Sequence, residues 1–160
     1  MCKLGWSLAG VLFIALTMMS YKFIISGSVE SSDDGRQALI LEPIERDLVL
    51  SEMRTFLSSV QAITEGLSKE DMSQVQKAAS TAGVQAQEGM PGPLMAKLPL
   101  SFKKLGHDTH KNFDILALDA EQLGDPQHSL QQLSVLMNNC VACHSAYKSL
   151  LAINKLFLDR

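Results

Sequence analysis

Cys140-Val141-Ala142-Cys143-His144 lies sixteen residues before the last residue, Arg160. Each residue type in this pattern has a chemical use. Two thiols three residues apart suit thioether bonds to the two vinyl groups of a haem, and the adjoining imidazole suits its iron. Cys-x-x-Cys-His therefore reads as covalent attachment of one c-type haem. On a helix, positions 140, 143 and 144 share one face, because residues three and four apart are neighbours there. A planar ring could lie flat against that face. Two other chemistries compete for the same residues. A structural zinc site wants four ligands, usually with a second Cys or His pair at set spacing. The only other cysteine is Cys2, in an apolar leader. A thioredoxin-like redox pair wants a strand–helix context, and no strand pattern surrounds Cys140. His107 and His110 stand one helical turn apart; they form either an i,i+3 metal pair or a solvated flank. No Ser/His/Asp triad, phosphate loop or paired-carboxylate site is evident, so independent enzymatic turnover is not expected.

The leader bears on where this chemistry takes place. Leu4 to Tyr21 is almost wholly apolar, preceded by Lys3, followed by Lys22 and extended by Phe23-Ile24-Ile25. A positive charge and then an apolar run is the layout of a secretory signal, whose apolar region is typically about 7–15 residues. This run is longer and approaches the roughly 20 residues that span a bilayer. Lys22 can snorkel to the interface. Ser26-Gly27-Ser28 offers small residues at which a peptidase could cut. Residues 1–28 therefore read as a cleaved signal peptide or an uncleaved membrane anchor. Both send the rest of the chain to the periplasm, outside the cytoplasm, where bacteria attach c-type haem. Residues 29–38 are small and polar and read as a flexible tether. The leader holds Lys3 and Lys22 and no acid, so a net charge of −3 for the chain becomes −5 beyond it. Without a basic patch, nucleic acid is not an expected partner. An acidic surface suits a basic redox partner protein.

Residues 39–160 must then position the motif, and they read as one all-α domain. The first helix is expected from about Arg46, or from as early as Gln37, to Leu67, with Leu50, Met53, Phe56, Leu57, Val60, Ile63 and Leu67 on one stripe. The second opens at Ser68 with Asp71 in the N3 place of a capping box. Its inner face is Met72, Val75, Ala78, Ala79 and Ala82. Gly89-Met90-Pro91-Gly92-Pro93 is a break. The third helix runs from Pro99 to about Leu123 on Phe102, Leu105, Phe113, Leu116, Ala117 and Ala120. Asp125 and Pro126 start the fourth as N-cap and N1, and its pattern continues through the motif to about Phe157. Four amphipathic helices with short connections predict an antiparallel up-down-up-down four-helix bundle, with the haem between the last helix and the first.

A haem motif on the last helix, Tyr147-Lys148 just after it, Leu98-Pro99 with Phe102 entering the third helix, and Arg46 early in the first resemble one family. It is the class II c-type cytochromes: the cytochrome c prime group and its low-spin relatives. Phe113-Asp114-Ile115-Leu116 is also similar to the third helix of the related four-helix b-type cytochrome. The resemblance covers roughly residues 40–150, and only the haem motif in it is highly specific. It implies a haem c with His144 as proximal ligand. Members without a sixth ligand bind nitric oxide or carbon monoxide; members with a first-helix methionine are low-spin electron carriers. Met53 is the leading candidate for that ligand, since a thioether suits haem iron and His/Met ligation raises its potential. Leu50, with Arg46 four residues earlier, is the alternative distal residue. Arg46 is a candidate partner for a haem propionate, and Tyr147 for packing against the ring. Relatives are often homodimers. An accessory subunit of a membrane complex is a third reading.

Overall fold

The computed structural model describes residues 2–152. Most of them are helical, and a small three-stranded sheet sits against one end of the helices. The apolar leader is helix α1 (Cys2–Ser20), which continues as a wider π-helical stretch over Tyr21–Ser26. Among the described residues none buries α1: Trp6 is 81% exposed and Phe13 70%.

Strands β1 (Val29–Ser31) and β2 (Gln37–Leu41) follow at once and pair antiparallel, Val29 opposite Leu39. The turn between them needs Gly35, whose φ of +82° is easy only for glycine. Much of the segment expected as a tether is therefore in the sheet. β2 reads Gln-Ala-Leu-Ile-Leu, and Ala38, Leu39 and Leu41 are buried.

Helix α2 (Pro43–Ser68) begins with a capping box: the Glu45 carboxylate accepts from the Glu42 amide at 2.8 Å. Pro43 is preset for the first turn. Its buried line is Val49, Phe56 and Ile63, flanked by half-buried Met53 and Val60. Leu57, expected on that stripe, is 71% exposed. It follows Phe56 by one residue, about 100° around the helix, and Phe56 holds the core position.

Helix α3 (Met72–Thr81) starts later than its sequence suggested. Ser68 is the last residue of α2, Glu70 takes a φ of +55°, and Asp71 is itself the N-cap, accepting from the Gln74 amide at 2.9 Å. Val75, Ala79 and Ala82 are fully buried. After the Gly89-Met90-Pro91 break comes a short helix α4 (Gly92–Lys97).

Helices α5 (Leu100–Gln122) and α6 (Pro126–Ala146) form the other long pair, with Pro99 as the N-cap of α5. Asp125 caps α6 as expected, accepting from the Gln127 and His128 amides at 2.9 and 3.2 Å. The end of α6 departs from expectation. It stops at Ala146, and Tyr147–Leu151 is strand β3, parallel to β2 with Tyr147 opposite Gln37 and Leu151 opposite Leu41. Phe157, where the helix was expected to end, lies outside the described residues. The fold is thus mostly helical rather than all-α, because β2 offers residues after α6 a free strand edge.

Helix α2 packs along α3, α3 along α5 and α5 along α6, while α2 and α6 touch far less. One core, built on Phe56, Ile63, Val75, Phe113, Leu116 and Leu136, lies between the helices. A second, of Leu39, Leu41, Val49, Leu94, Leu98 and Tyr147, joins the sheet to the helix ends.

Candidate functional site

The motif occupies the last two turns of α6, where the helix passes from one core to the other. Cys140 is half-buried and packs on the helix core; Cys143, also half-buried, packs on the sheet core. His144 is exposed in the final turn. The three side chains share the spacing expected of them because α6 stays regular through Ala146.

Both thiols are free. Burial pushes the Cys140 thiol above its ordinary value. It pushes Cys143 up to about 11, with the neighbouring Cys140 adding to the effect. Both are therefore neutral at neutral pH, unlike the activated thiolate of a redox pair. Among the described residues, no group of three or more His, Cys, Asp or Glu side chains is placed to hold a metal ion. The four-ligand set of a structural zinc site is not assembled around Cys140 and Cys143.

Met53 of α2 is half-buried and packs on the same core as Cys140, as do Phe56, Val60, Ile63 and Leu67 of that helix. Leu50, one turn earlier, is also half-buried but is not among the side chains packed on either core. Arg46 sits half-buried in the first turn of α2, and among the described residues no ion pair holds its guanidinium. Met90, Phe102 and Leu105 are, like Cys143, half-buried against the sheet core.

Tyr147 is buried in the sheet core. Its hydroxyl is 2.5 Å from Ser101 Oγ, and its ring meets Phe102 edge-on at 5.3 Å. As the first residue of β3 it anchors the chain directly after the motif. Its neighbours are α5 and the sheet, beside Cys143.

One charged residue near the motif, Arg36, was not legible in the sequence. Arg36, at the end of the β1–β2 turn, donates from Nη1 to the carbonyl of His144 at 3.4 Å and pairs with Asp34 at 2.7 Å. Lys148 Nζ lies 3.4 Å from the same Asp34. Arg36, then Ser32 and Lys148, hold the Asp34 carboxyl well below the usual range. The position of Arg36 depends on a strand pairing that spans over a hundred residues, so no local pattern could announce it.

The histidines separate. His107 is exposed, whereas His110 is buried, so the two do not form a pair. His110 Nδ1 donates to the carbonyls of Ala82 and Gly83, at 2.8 and 3.1 Å. Its Nε2 reaches the Glu52 carboxylate at 2.9 Å. The ring stacks at a tilt on Phe56, with centroids 4.7 Å apart. Burial opposes a charge on this ring, but Glu52 and the two carbonyls outweigh it and raise its pKa. His110 thus ties α5 to α3 and to α2, one residue from Met53. His128 is a surface partner of Asp119 at 3.2 Å.

No family model matches this sequence, and no curated protein or solved structure matches it.

Proposed function

We propose that this protein is a membrane-targeted, periplasmic monohaem c-type cytochrome that carries single electrons, built on the class II four-helix plan. The observation that carries this reading is Cys140, Cys143 and His144 together on the last two turns of α6, beside the loosely closed edge between α6 and α2. The residues present fit such a group. Two neutral, half-buried thiols stand three apart beside apolar side chains, and an unshielded imidazole follows them.

In this reading Cys140 and Cys143 hold the haem by thioethers and His144 is the proximal ligand. Met53 is the sixth ligand, favoured over Leu50 because it packs on the same core as Cys140. When bound, the haem supplies one-electron Fe(III)/Fe(II) chemistry. The chain supplies the rest. Val49, Phe56, Phe102 and Leu105 keep water from the attachment face; Glu52 and His110 fix the turn of α2 that carries Met53. Arg36, Lys148 and Arg46 are cations at that end of the molecule, suited to carboxylates.

An optical spectrum of the protein made with the c-type maturation machinery tests the choice of ligand. A low-spin ferrous spectrum unchanged by carbon monoxide is expected. A high-spin spectrum that shifts on adding the gas would replace Met53 ligation with an open distal site and a gas-binding role. Absence of covalent haem removes the whole proposal.

A further inference from the structure

We infer that α1 is retained in the mature protein as a membrane stalk, joined without a flexible tether to the end of the domain that carries Cys140–His144. The second half of this inference rests on the cytochrome reading for its meaning; the retention of α1 does not. Gly5–Ser26 is 22 residues long, has a mean hydropathy of 1.9 and has no buried residue in its most apolar stretch. At 1.5 Å per residue its α-helical part, Gly5–Ser20, is about 24 Å long, and Tyr21–Ser26 extends it towards the roughly 30 Å of a bilayer's hydrocarbon core. A soluble monomer rarely leaves so large an apolar surface in water. No acidic residue interrupts it, and its one late cation, Lys22, donates from Nζ to the Gly27 carbonyl at 3.0 Å, at the end of the span. A lipid bilayer is the occupant that this length and all-round exposure fit.

The joint argues against removal. Only Gly27 and Ser28 separate the helix from β1. Gly27 is buried with a φ of +67°, and a Cβ there would lie 2.5 Å from the Lys97 carbonyl oxygen and 2.6 Å from the Pro99 nitrogen. The Ser28 amide donates to the Lys97 carbonyl at 2.6 Å, and the Ser28 carbonyl accepts from the Ile40 amide at 3.1 Å. A cut after Ser26 would leave a new ammonium group at a buried position, which is costly without a counter-charge. Processed termini are usually loose and exposed; this segment is neither.

The joint also sets the orientation. It rests on Lys97–Pro99, at the start of α5, and Lys97 Nζ holds Glu45 of the first turn of α2 at 2.7 Å. α5 and α6 run antiparallel: Asp119 meets His128 and Gln132 at the hairpin end, and Ser101 meets Tyr147 at the other. The motif end of α6 is therefore the stalk end. A redox partner that docks there must itself lie at the membrane surface.

The full-length chain with a C-terminal epitope, made with the maturation machinery, tests this. After an alkaline carbonate wash of the membranes, the epitope is expected in the pellet on a chain whose mass includes residues 3–28. Epitope in the supernatant with an N-terminus between 26 and 30 overturns retention. In vesicles containing phosphatidylethanolamine, a short amine cross-linker is expected to join lipid to Lys104, near the joint, and not to Lys69, past the far end of α2. Equal or reversed labelling overturns the orientation. Gly27→Ala is expected to raise protease nicking at residues 26–29 several-fold, and unchanged protection overturns the rigid joint. A haem stain of the same pellet is a separate reading: a pelleted chain without haem keeps the stalk and sinks the cytochrome.

Discussion

His110 and the two motif cysteines show how much one side chain's surroundings decide. The sequence places His110 on a helix beside His107, and its partners cannot be read there. In the fold, both ring nitrogens face acceptors, so the protonated ring is the satisfied one. Its pKa is raised above the ordinary 6.5. Its contribution to stability is therefore full below about pH 6.5 and is lost as pH rises through the folded value. The melting temperature is expected to fall as pH is raised from 6 towards 9, and His110→Gln is expected to flatten that dependence. At pH 6 the substitution should cost about 1–3 kcal/mol, the usual penalty for stranding buried hydrogen-bonding groups. Thermal melts of both proteins across that range check it; a parallel slope in the variant would remove His110 as the source. At the motif, Cys140→Ala and Cys143→Ala are each expected to abolish normal two-thioether attachment. A shifted or absent haemochrome band measures this, and an unchanged band in both variants counts against the assignment.

At the scale of elements, capping residues carried most of what the sequence could say. Pro99, Asp125-Pro126 and the Gly89-Met90-Pro91 break fall at or beside element boundaries because caps and prolines act within a few residues. The start of α3 was misplaced because Ser68 and Asp71 are both good caps, and the choice between them is made by packing. Gly66 is the point of closest approach: a Cβ there would come within 2.9 Å of Val75 Cγ2 and 3.1 Å of the Asp71 carbonyl oxygen. Alanine is the better helix former by up to about 1 kcal/mol, but overpacking costs about 1–3 kcal/mol. Gly66→Ala is therefore expected to lower the midpoint of urea unfolding. A raised midpoint would show that α3 can move away freely. The sheet was illegible for a different reason. Tyr147-Lys148-Ser149-Leu150-Leu151 has no strong strand pattern alone, and its parallel partner β2 lies more than a hundred residues earlier.

At the scale of the molecule, the helices close on three sides and are loose on the fourth. α2 and α6 are the pair that carry Met53 and the motif, and of the four neighbouring pairs of long helices they meet least. If this edge is where haem lies, holo-protein should melt well above the haem-free Cys140→Ala/Cys143→Ala double variant, because a group held only by the native state stabilises it. Calorimetry of the two forms checks this, and equal melting temperatures would move the haem elsewhere. The sequence by itself determined the chemistry-bearing triplet, the apolar leader and four of the helices, since spacing, hydropathy and caps are properties of neighbouring residues. Only the tertiary structure decided that β3 ends α6 at Ala146, that Arg36 reaches the motif, that His110 is internal, and that the leader's joint lies at the same end as Cys140–His144. Those outcomes depend on contacts between segments far apart in the chain, where no local pattern of residue types records which partner will be met.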